Sequence, residues 1–272
     1  MDRYVLSEET FYKLSDLVNK FMGIKMPIAK RALLEARLQK LIRGNDLGSF
    51  ENYLDFISRK NHRDPDIVNF CNAVATNKTD FFRENAHFDF MTKTALPEIR
   101  DSGCRMIRVW SAASSTGEEP YTLAMVLAEF CEKNSGMDFS VLGTDISTKV
   151  LTKAKAGVYS REDVDGIPPD LMRKYLHSRS GGDFEIKDVL KRRMRWGRFN
   201  LMTRNYNVPG PFEIIFCRNV LIYFNRDNQA LIYGKLLGQL VPDGYLFLGH
   251  SESMAGMSSR KQAVAPAVFR IS

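Results

Sequence analysis

The chain has 272 residues, a net charge of +7 at neutral pH and 44% hydrophobic residues. That composition supports a packed core and excludes a disordered chain, and no apolar run reaches the roughly 18 residues of a membrane helix. The first residues, MDRYVLSEETF, lack the apolar stretch of a secretory signal, and Cys71, Cys104, Cys131 and Cys217 form no C-x-x-C pair, so a cytoplasmic protein with reduced thiols and no membrane insertion is expected.

Residues 1–76 read as helices throughout and are expected to form an all-helical N-terminal domain. Ser7-Glu8-Glu9-Thr10 precedes an apolar-periodic helix from Phe11 to Met22, which Met26-Pro27 interrupts. A basic helix follows over 28–43, with Lys30, Arg31, Arg37, Lys40 and Arg43 against the single acid Glu35. Leu34, Leu38 and Leu41 give it a core stripe, and Lys30, Arg37 and Lys40 lie on one flank of that stripe. Gly44 and Gly48 end it. Ser49-Phe50-Glu51 opens the next helix, to about Arg59, and Pro65 opens the last, Asp66 to Thr76. A solvated face is the plain reading of a basic run. A second run, Lys191–Arg198, and the net positive charge favour an acidic partner docking there.

Residues 77–97 read as a linker, and residues 98–272 as an α/β domain in which strands and helices alternate. Strands are predicted at Met106–Trp110, Phe139–Gly143, Met194–Phe199, Glu213–Cys217, Tyr245–Leu248 and Ala267–Ile271, the last two pairing as a hairpin-like edge. Helices are predicted near Tyr121–Lys133, Thr148–Ala156, Pro169–Tyr175 and Arg226–Leu240. Between Tyr175 and Met194 the chain is long for a simple connection. Its Ser180-Gly181-Gly182 turn and short alternating pieces suggest a small antiparallel β-subdomain inserted at about 176–193.

The chemistry concentrates in Met106–Phe130, which reads strand, small-residue turn, helix. The turn Ser111–Gly117 lets a ligand approach the backbone, and Glu118 and Glu119 open the helix at its positive end. The second strand ends in Thr144-Asp145-Ile146. An acid at that strand tip is how a doubly wound sheet holds a ribose. The loop has one glycine and two acids, so a dinucleotide pyrophosphate would meet negative charge there. S-adenosylmethionine, with a sulfonium and an ammonium, suits it better. His62, His87, His177 and His250 show no metal-ligand spacing, and no metal is expected.

Further motifs converge on a family. Asn77-Lys78-Thr79-Asp80-Phe81-Phe82-Arg83-Glu84 joins the two parts, Arg218-Asn219-Val220-Leu221-Ile222-Tyr223-Phe224 follows the fourth strand, and Gly249-His250-Ser251-Glu252 follows the fifth. With SAASSTGEEPY and TDIS, these resemble the CheR chemotaxis receptor methyltransferases, over nearly the whole chain. The resemblance implies a Rossmann-like S-adenosylmethionine-dependent methyltransferase sheet behind a helical receptor-docking domain. It implies methyl esterification of glutamate side chains on the acidic cytoplasmic helices of chemoreceptors, with S-adenosylhomocysteine as the product. It also implies that Asn77, Thr79 and Arg83 line the cofactor site from the linker, and that Glu119, or its neighbour Glu118, meets the cofactor. Asp145 is expected at the ribose, Asn200 and Leu201 beside the adenine, and Asn219 and Val220 at the fourth strand tip. Arg83 and Tyr223 are expected closest to the transferred methyl, and Lys30, Arg37 and Lys40 to dock the receptor.

Some members recognise a receptor C-terminal pentapeptide through the β-subdomain. The loop His177–Asp188 is short here, so a pentapeptide-independent protein is expected. Two other classes are weighed. Nucleic-acid amino-methyltransferases carry a proline-containing loop after the fourth strand, whereas this one reads Asn219-Val220-Leu221-Ile222 and no aromatic-interleaved basic platform appears, so no nucleic-acid partner is expected. A non-catalytic module that binds the cofactor and docks on a receptor is the remaining alternative, and no regulatory partner can be named.

Overall fold

A computed structural model describes residues 3–62, 64–254 and 261–271. The first four helices form one bundle. In α1 (Glu8–Met22), Ser7 caps the N-terminus by accepting the Thr10 N–H, and Phe11, Leu14, Val18, Phe21 and Met22 form the buried stripe. Gly23 ends it at φ 74°, and a Cβ there would stand 2.4 Å from Met202 Cγ and 2.8 Å from Phe224 Cε1, so glycine lets the bundle close onto the second half of the chain. A 3₁₀ turn leads into α2 (Arg31–Gly44), and Ser49 and Asp64 cap α3 (Phe50–Ser58) and α4 (Pro65–Val74). The α2 core stripe differs from the expected one. Ile42 is fully buried beside Leu34 and Leu38, whereas Leu41 is only partly so. Glu35, the lone acid of this helix, is also buried, accepting from Arg3 Nε and Nη2 and from the Leu6 N–H.

The connection after α4 is irregular only as far as residue 85, its last five residues forming a turn. From Ala86 the chain is helical to Asp101: α5 (Ala86–Phe90), a π-helical turn (Met91–Ala95) and α6 (Leu96–Asp101). Pro97 supplies no N–H to the carbonyl four residues back, and the helix widens just ahead of it. Phe88, Met91, Ala95, Leu96 and Ile99 pack in the same core as the sheet, so these residues belong physically to the second half.

That half alternates β1 (Met106–Ser111), α7 (Glu118–Lys133), β2 (Asp138–Asp145) and α8 (Thr148–Ala156), then β3 (Val158–Tyr159), α9 (Pro169–Tyr175), β4 (Leu176–Ser178) and β5 (Phe184–Ile186). It continues with α10 (Asp188–Lys191), β6 (Met194–Arg198), β7 (Phe212–Cys217), α11 (Arg226–Leu237), β8 (Leu240–Leu248), β9 (Lys261–Ala265) and β10 (Val268–Ile271). The main sheet has the order β6-β2-β1-β7-β8-β10-β9, parallel except where β10 pairs antiparallel with β8 and β9. This is the expected doubly wound α/β fold, with one difference at its edge. The β8–β10 pair is not the margin, because β9, absent from the sequence reading, lies outside it. The second sheet, β3-β5-β4, is the small antiparallel subdomain, and its third strand is Val158–Tyr159, ahead of the segment expected to supply it. Val189 and Leu190 lie on α10 rather than on a strand.

The direction of winding reverses between β1 and β7. In an open α/β sheet a ligand crevice forms outside the carboxyl ends of the strands at such a switch point.

Candidate functional site

A pocket opens at that switch point, bounded by the tips of β1, β2 and β7, by residues 75–79 and Arg83 of the connection, and by Met22 at the end of α1 and Ile24 just beyond it. Its empty volume, open mouth included, is about 860 Å³. Asn77, Thr79 and Arg83 line it from the connection, Glu119 from the first turn of α7 and Asp145 from the tip of β2. Asn200 and Leu201 line it after β6, and Asn219, Val220 and Tyr223 after β7. Of the candidates, Lys30, Arg37 and Lys40, and the alternative acid Glu118, stand outside this wall.

Asp145 ends β2 with a buried carboxylate. Oδ2 accepts the Ser115 N–H and Oδ1 the Ser147 N–H, each at 2.9 Å. Burial raises its pKa, and these backbone donors act against that shift. One bond per oxygen leaves acceptor capacity facing the pocket for a pair of vicinal hydroxyls. Ser115, at φ 47°, also ties the β1 turn to the connection, its hydroxyl donating to the Asn77 carbonyl at 2.8 Å. Gly117 (φ 103°) lets α7 start against α8, since a Cβ would lie 2.7 Å from the Tyr159 hydroxyl and 2.9 Å from Ala154 Cβ.

The two acids of α7 point different ways. Glu119 faces the pocket, held by the Ser111 hydroxyl (2.7 Å) and by Arg218 Nε (2.7 Å). Glu118 turns away, taking the Thr116 hydroxyl, and burial raises its pKa. Ile146, Phe199, Leu201 and Val220 supply apolar wall. Hydroxyl acceptors at one strand tip, a carboxylate beside them and an apolar slab fit a nucleoside carrying a cationic amino-acid arm. Asn200 joins that wall with its amide held in place: Nδ2 donates to the Phe21 carbonyl and Oδ1 accepts the Met202 N–H.

Two residues outside the sequence expectations organise the site. Arg218 is 2% exposed in its side chain. Nε bonds Glu119, Nη1 lies 2.9 Å from His87 Nδ1 and 3.5 Å from Glu84 Oε2, and Nη2 donates to the Arg83 carbonyl at 2.8 Å. Phe88 and Phe216 stand 5.4 and 5.5 Å from the guanidinium carbon. Glu252 accepts backbone N–H groups from Asn219 (3.0 Å), Val220 (2.9 Å), Leu221 (2.7 Å) and Gly249 (2.7 Å), and so fixes the loop after β7. Burial raises its pKa against those four donors. Both residues sit in motifs that the sequence singles out, Arg218-Asn219 and Gly249–Glu252, but nothing local identifies their partners.

Glu84, His87 and His250 gather three groups of metal-ligating type within 4.8 Å of one another. The cation there is the Arg218 guanidinium, which already engages His87 Nδ1 and faces Glu84. His87 is pushed down to about 4 by burial and then by the Arg218 charge, so it accepts as a neutral ring. Burial works to raise the Glu84 pKa, but the Asn219 amide and the Arg218 charge outweigh it and hold it low.

The basic flank of α2 divides. Lys40 is exposed. Lys30 is half-buried, its Nζ 5.2 Å from the centre of the Tyr223 ring, at the pocket rather than on a remote face. Arg37 has partners within the chain. It is half-buried, Nη1 donates to the Val74 carbonyl and Nη2 to the Thr76 hydroxyl at 3.2 Å, so it braces the segment that leads into the pocket wall. Arg83 keeps one bond of its own, Nη1 to the Lys78 carbonyl at 3.0 Å.

Comparison with known proteins adds the family context. Residues 77–269 match the family described as "CheR methyltransferase, SAM binding domain", and residues 9–74 match "CheR methyltransferase, all-alpha domain". The chain is 33% identical over 270 residues to a chemotaxis protein methyltransferase of Borreliella burgdorferi, covering 97% of this chain and 95% of that one. It is 36% identical over 274 residues to the protein of that description in Escherichia coli, covering 100% and 93%. Against the one in Salmonella typhimurium it is 36% identical over 258 residues, covering 94% and 87%.

Proposed function

The chain belongs to the CheR methyltransferase family, and from that premise we propose that it esterifies glutamate side chains on the cytoplasmic part of chemoreceptors. It is an S-adenosylmethionine-dependent methyltransferase of chemotaxis; the acceptor and the roles of the residues below are the proposal. No helix among the described residues is long and apolar enough to cross a membrane.

When bound, S-adenosylmethionine supplies an electrophilic methyl group on a sulfonium. Asp145 takes the ribose hydroxyls on its remaining lone pairs. Glu119, already tied to Ser111 and Arg218, places a carboxylate beside the cationic arm without leaving an unpaired buried charge. Asn219 and Val220 approach through a loop whose N–H groups Glu252 holds. The acceptor carboxylate has an ordinary pKa of about 4.3 and is ionised at neutral pH, so no general base is required. What the site must supply is alignment and a dry approach. Arg83 meets the incoming carboxylate with its planar fork, and the Tyr223 hydroxyl donates to it, while Lys30 holds the Tyr223 ring from its face.

The observation that carries this reading is that Arg83 from the connection and Tyr223 from the loop after β7, distant in sequence, line one pocket with Asp145. Kinetics on variants test it. Arg83→Ala lowers kcat by about 10-fold or more, the loss of one aligned charge-assisted contact, with S-adenosylhomocysteine affinity little changed. Arg83→Lys does not restore kcat, because a lysine lacks the fork. Asp145→Ala does the reverse, weakening S-adenosylhomocysteine by about 1–3 kcal/mol. A fully active Arg83→Lys protein removes the paired-bond role, and unchanged affinity after Asp145→Ala removes Asp145 from the cofactor site.

A further inference from the structure

Arg83 sits in an unusual backbone setting. Its neighbours Phe82 (φ 54°) and Glu84 (φ 56°) are both left-handed, a conformation that side chains of this size rarely adopt. Such a turn persists only where its surroundings over-determine it. Here they do so from two elements. The Thr122 hydroxyl of α7 accepts the Phe82 N–H at 3.2 Å, and Asn219 Nδ2, at the tip of β7, donates to Glu84 Oε1 at 3.0 Å. The Arg83 carbonyl between them is held by Arg218 Nη2 at 2.8 Å.

Arg218 borders the pocket, but each of its three guanidinium nitrogens is already engaged with protein. Its plane is fixed by Phe88 and Phe216 and by bonds in three directions: to Glu119 on α7, to His87 on α5 and to the turn itself. Among the described residues it thus ties the cofactor-facing acid directly to the main chain of the residue facing the acceptor. A planar fork reaches the two from separate nitrogens in a fixed geometry, whereas an ammonium has all its donors on one atom.

We propose that Arg218 is a positioning residue for methyl transfer: it sets the position of Arg83 through the Arg83 carbonyl, and so couples the cofactor wall at Glu119 to the acceptor side of the pocket. The inference rests on the reading of Arg83 given above. Misplacement of a reacting group by about 1 Å costs on the order of 100-fold in rate, so the effect belongs in kcat.

The test is a double-mutant cycle on the full chain with a chemoreceptor cytoplasmic fragment as acceptor. Arg218→Lys keeps a cation for Glu119 but loses the second arm of the fork. It is expected to lower kcat by roughly 10- to 100-fold, with the S-adenosylhomocysteine dissociation constant within about fivefold of the parent. Combined with Arg83→Ala, it should lower kcat by no more than about twofold beyond Arg83→Ala alone, because the two changes disable one device. Losses that multiply show that Arg218 acts independently of Arg83 and overturn the inference while leaving the role of Arg83 standing. Parental kcat in Arg218→Lys overturns it too. If Arg83→Ala itself turns over normally, the reading of Arg83 fails, and this inference with it. Should Arg218→Lys not fold, His87→Phe, which withdraws the Nη1 acceptor and leaves the other two guanidinium bonds in place, enters the same cycle: a kcat loss that vanishes in the Arg83→Ala background supports the inference, and an additive loss or no loss overturns it.

Discussion

Replacing Glu252 by glutamine keeps the size of the side chain and changes one oxygen into an NH₂ group. In the parent, Oε1 accepts from Val220 and Leu221, and Oε2 from Asn219 and Gly249, at 2.7–3.0 Å. Whichever way the amide turns, two backbone N–H groups then face a donor. An unsatisfied buried donor costs about 1–3 kcal/mol, so two give roughly 2–6 kcal/mol, and relaxation of the loop brings the expectation to about 2–4 kcal/mol. The same loop carries Asn219 and Val220 to the pocket, so S-adenosylhomocysteine should also bind more weakly. Equilibrium urea unfolding followed by tryptophan fluorescence measures the first effect, since Trp110 is fully buried beside the pocket strands, and titration calorimetry measures the second. A loss under about 1 kcal/mol with unchanged affinity would refute the assignment of Glu252 as the acceptor that holds this loop.

Charge reversal of Lys30 and Lys40 should raise the KM for a receptor fragment and flatten its dependence on salt, because attraction between the basic face and acidic helices is screened over about 8–10 Å; unchanged KM and salt response would return the face to plain solvation. Arg37→Ala, by contrast, should weaken cofactor binding, since Arg37 braces Val74 and Thr76, and an effect confined to receptor KM would contradict that. A receptor fragment lacking its C-terminal tail should be methylated nearly as well as one carrying it; loss of methylation without the tail would show that the short β4–β5 loop does tether. His87 gives a pH signature. Its folded pKa of about 4 lies below the ordinary 6.5, through burial first and Arg218 second, so below 6.5 the unfolded chain takes up a proton that the folded one refuses. Stability from this group is fully present above pH 6.5 and is lost as pH falls towards 4, amounting to about 2 kcal/mol between pH 8 and pH 5. His87→Gln should lack that component, and an identical pH profile in the two proteins would rule it out.

The parts of the site that are contiguous in sequence were legible there. Strand β1, its small-residue turn and the acids of α7 lie within one short stretch, and Asp145 follows at the next strand tip, so local pattern placed them together. Arg83 and Tyr223 came from resemblance, since no periodicity brings the connection to the loop after β7. The Arg218 and Glu252 networks were not legible, because their partners are remote: Glu119 lies 99 positions from Arg218 and His87 131. The side chain of Arg37 falls on the polar flank of its helix, and only packing of α4 against α2 reveals that the carbonyl of Val74 waits there. The helix from Ala86 to Asp101 was obscured by Pro97, which reads as a boundary but is accommodated by a π-helical turn. Strand β9, KQAVA, shows little alternation and is selected by its pairing with β10.

The most direct measurement is transfer of labelled methyl from S-adenosylmethionine to a purified chemoreceptor cytoplasmic fragment, with the product exposed to mild base. Incorporation that depends on the chain, is abolished by replacing the acceptor glutamates with alanine and is released by base as methanol is the predicted result. Base-stable incorporation, or cofactor binding without any transfer to a competent receptor fragment, would contradict glutamate esterification.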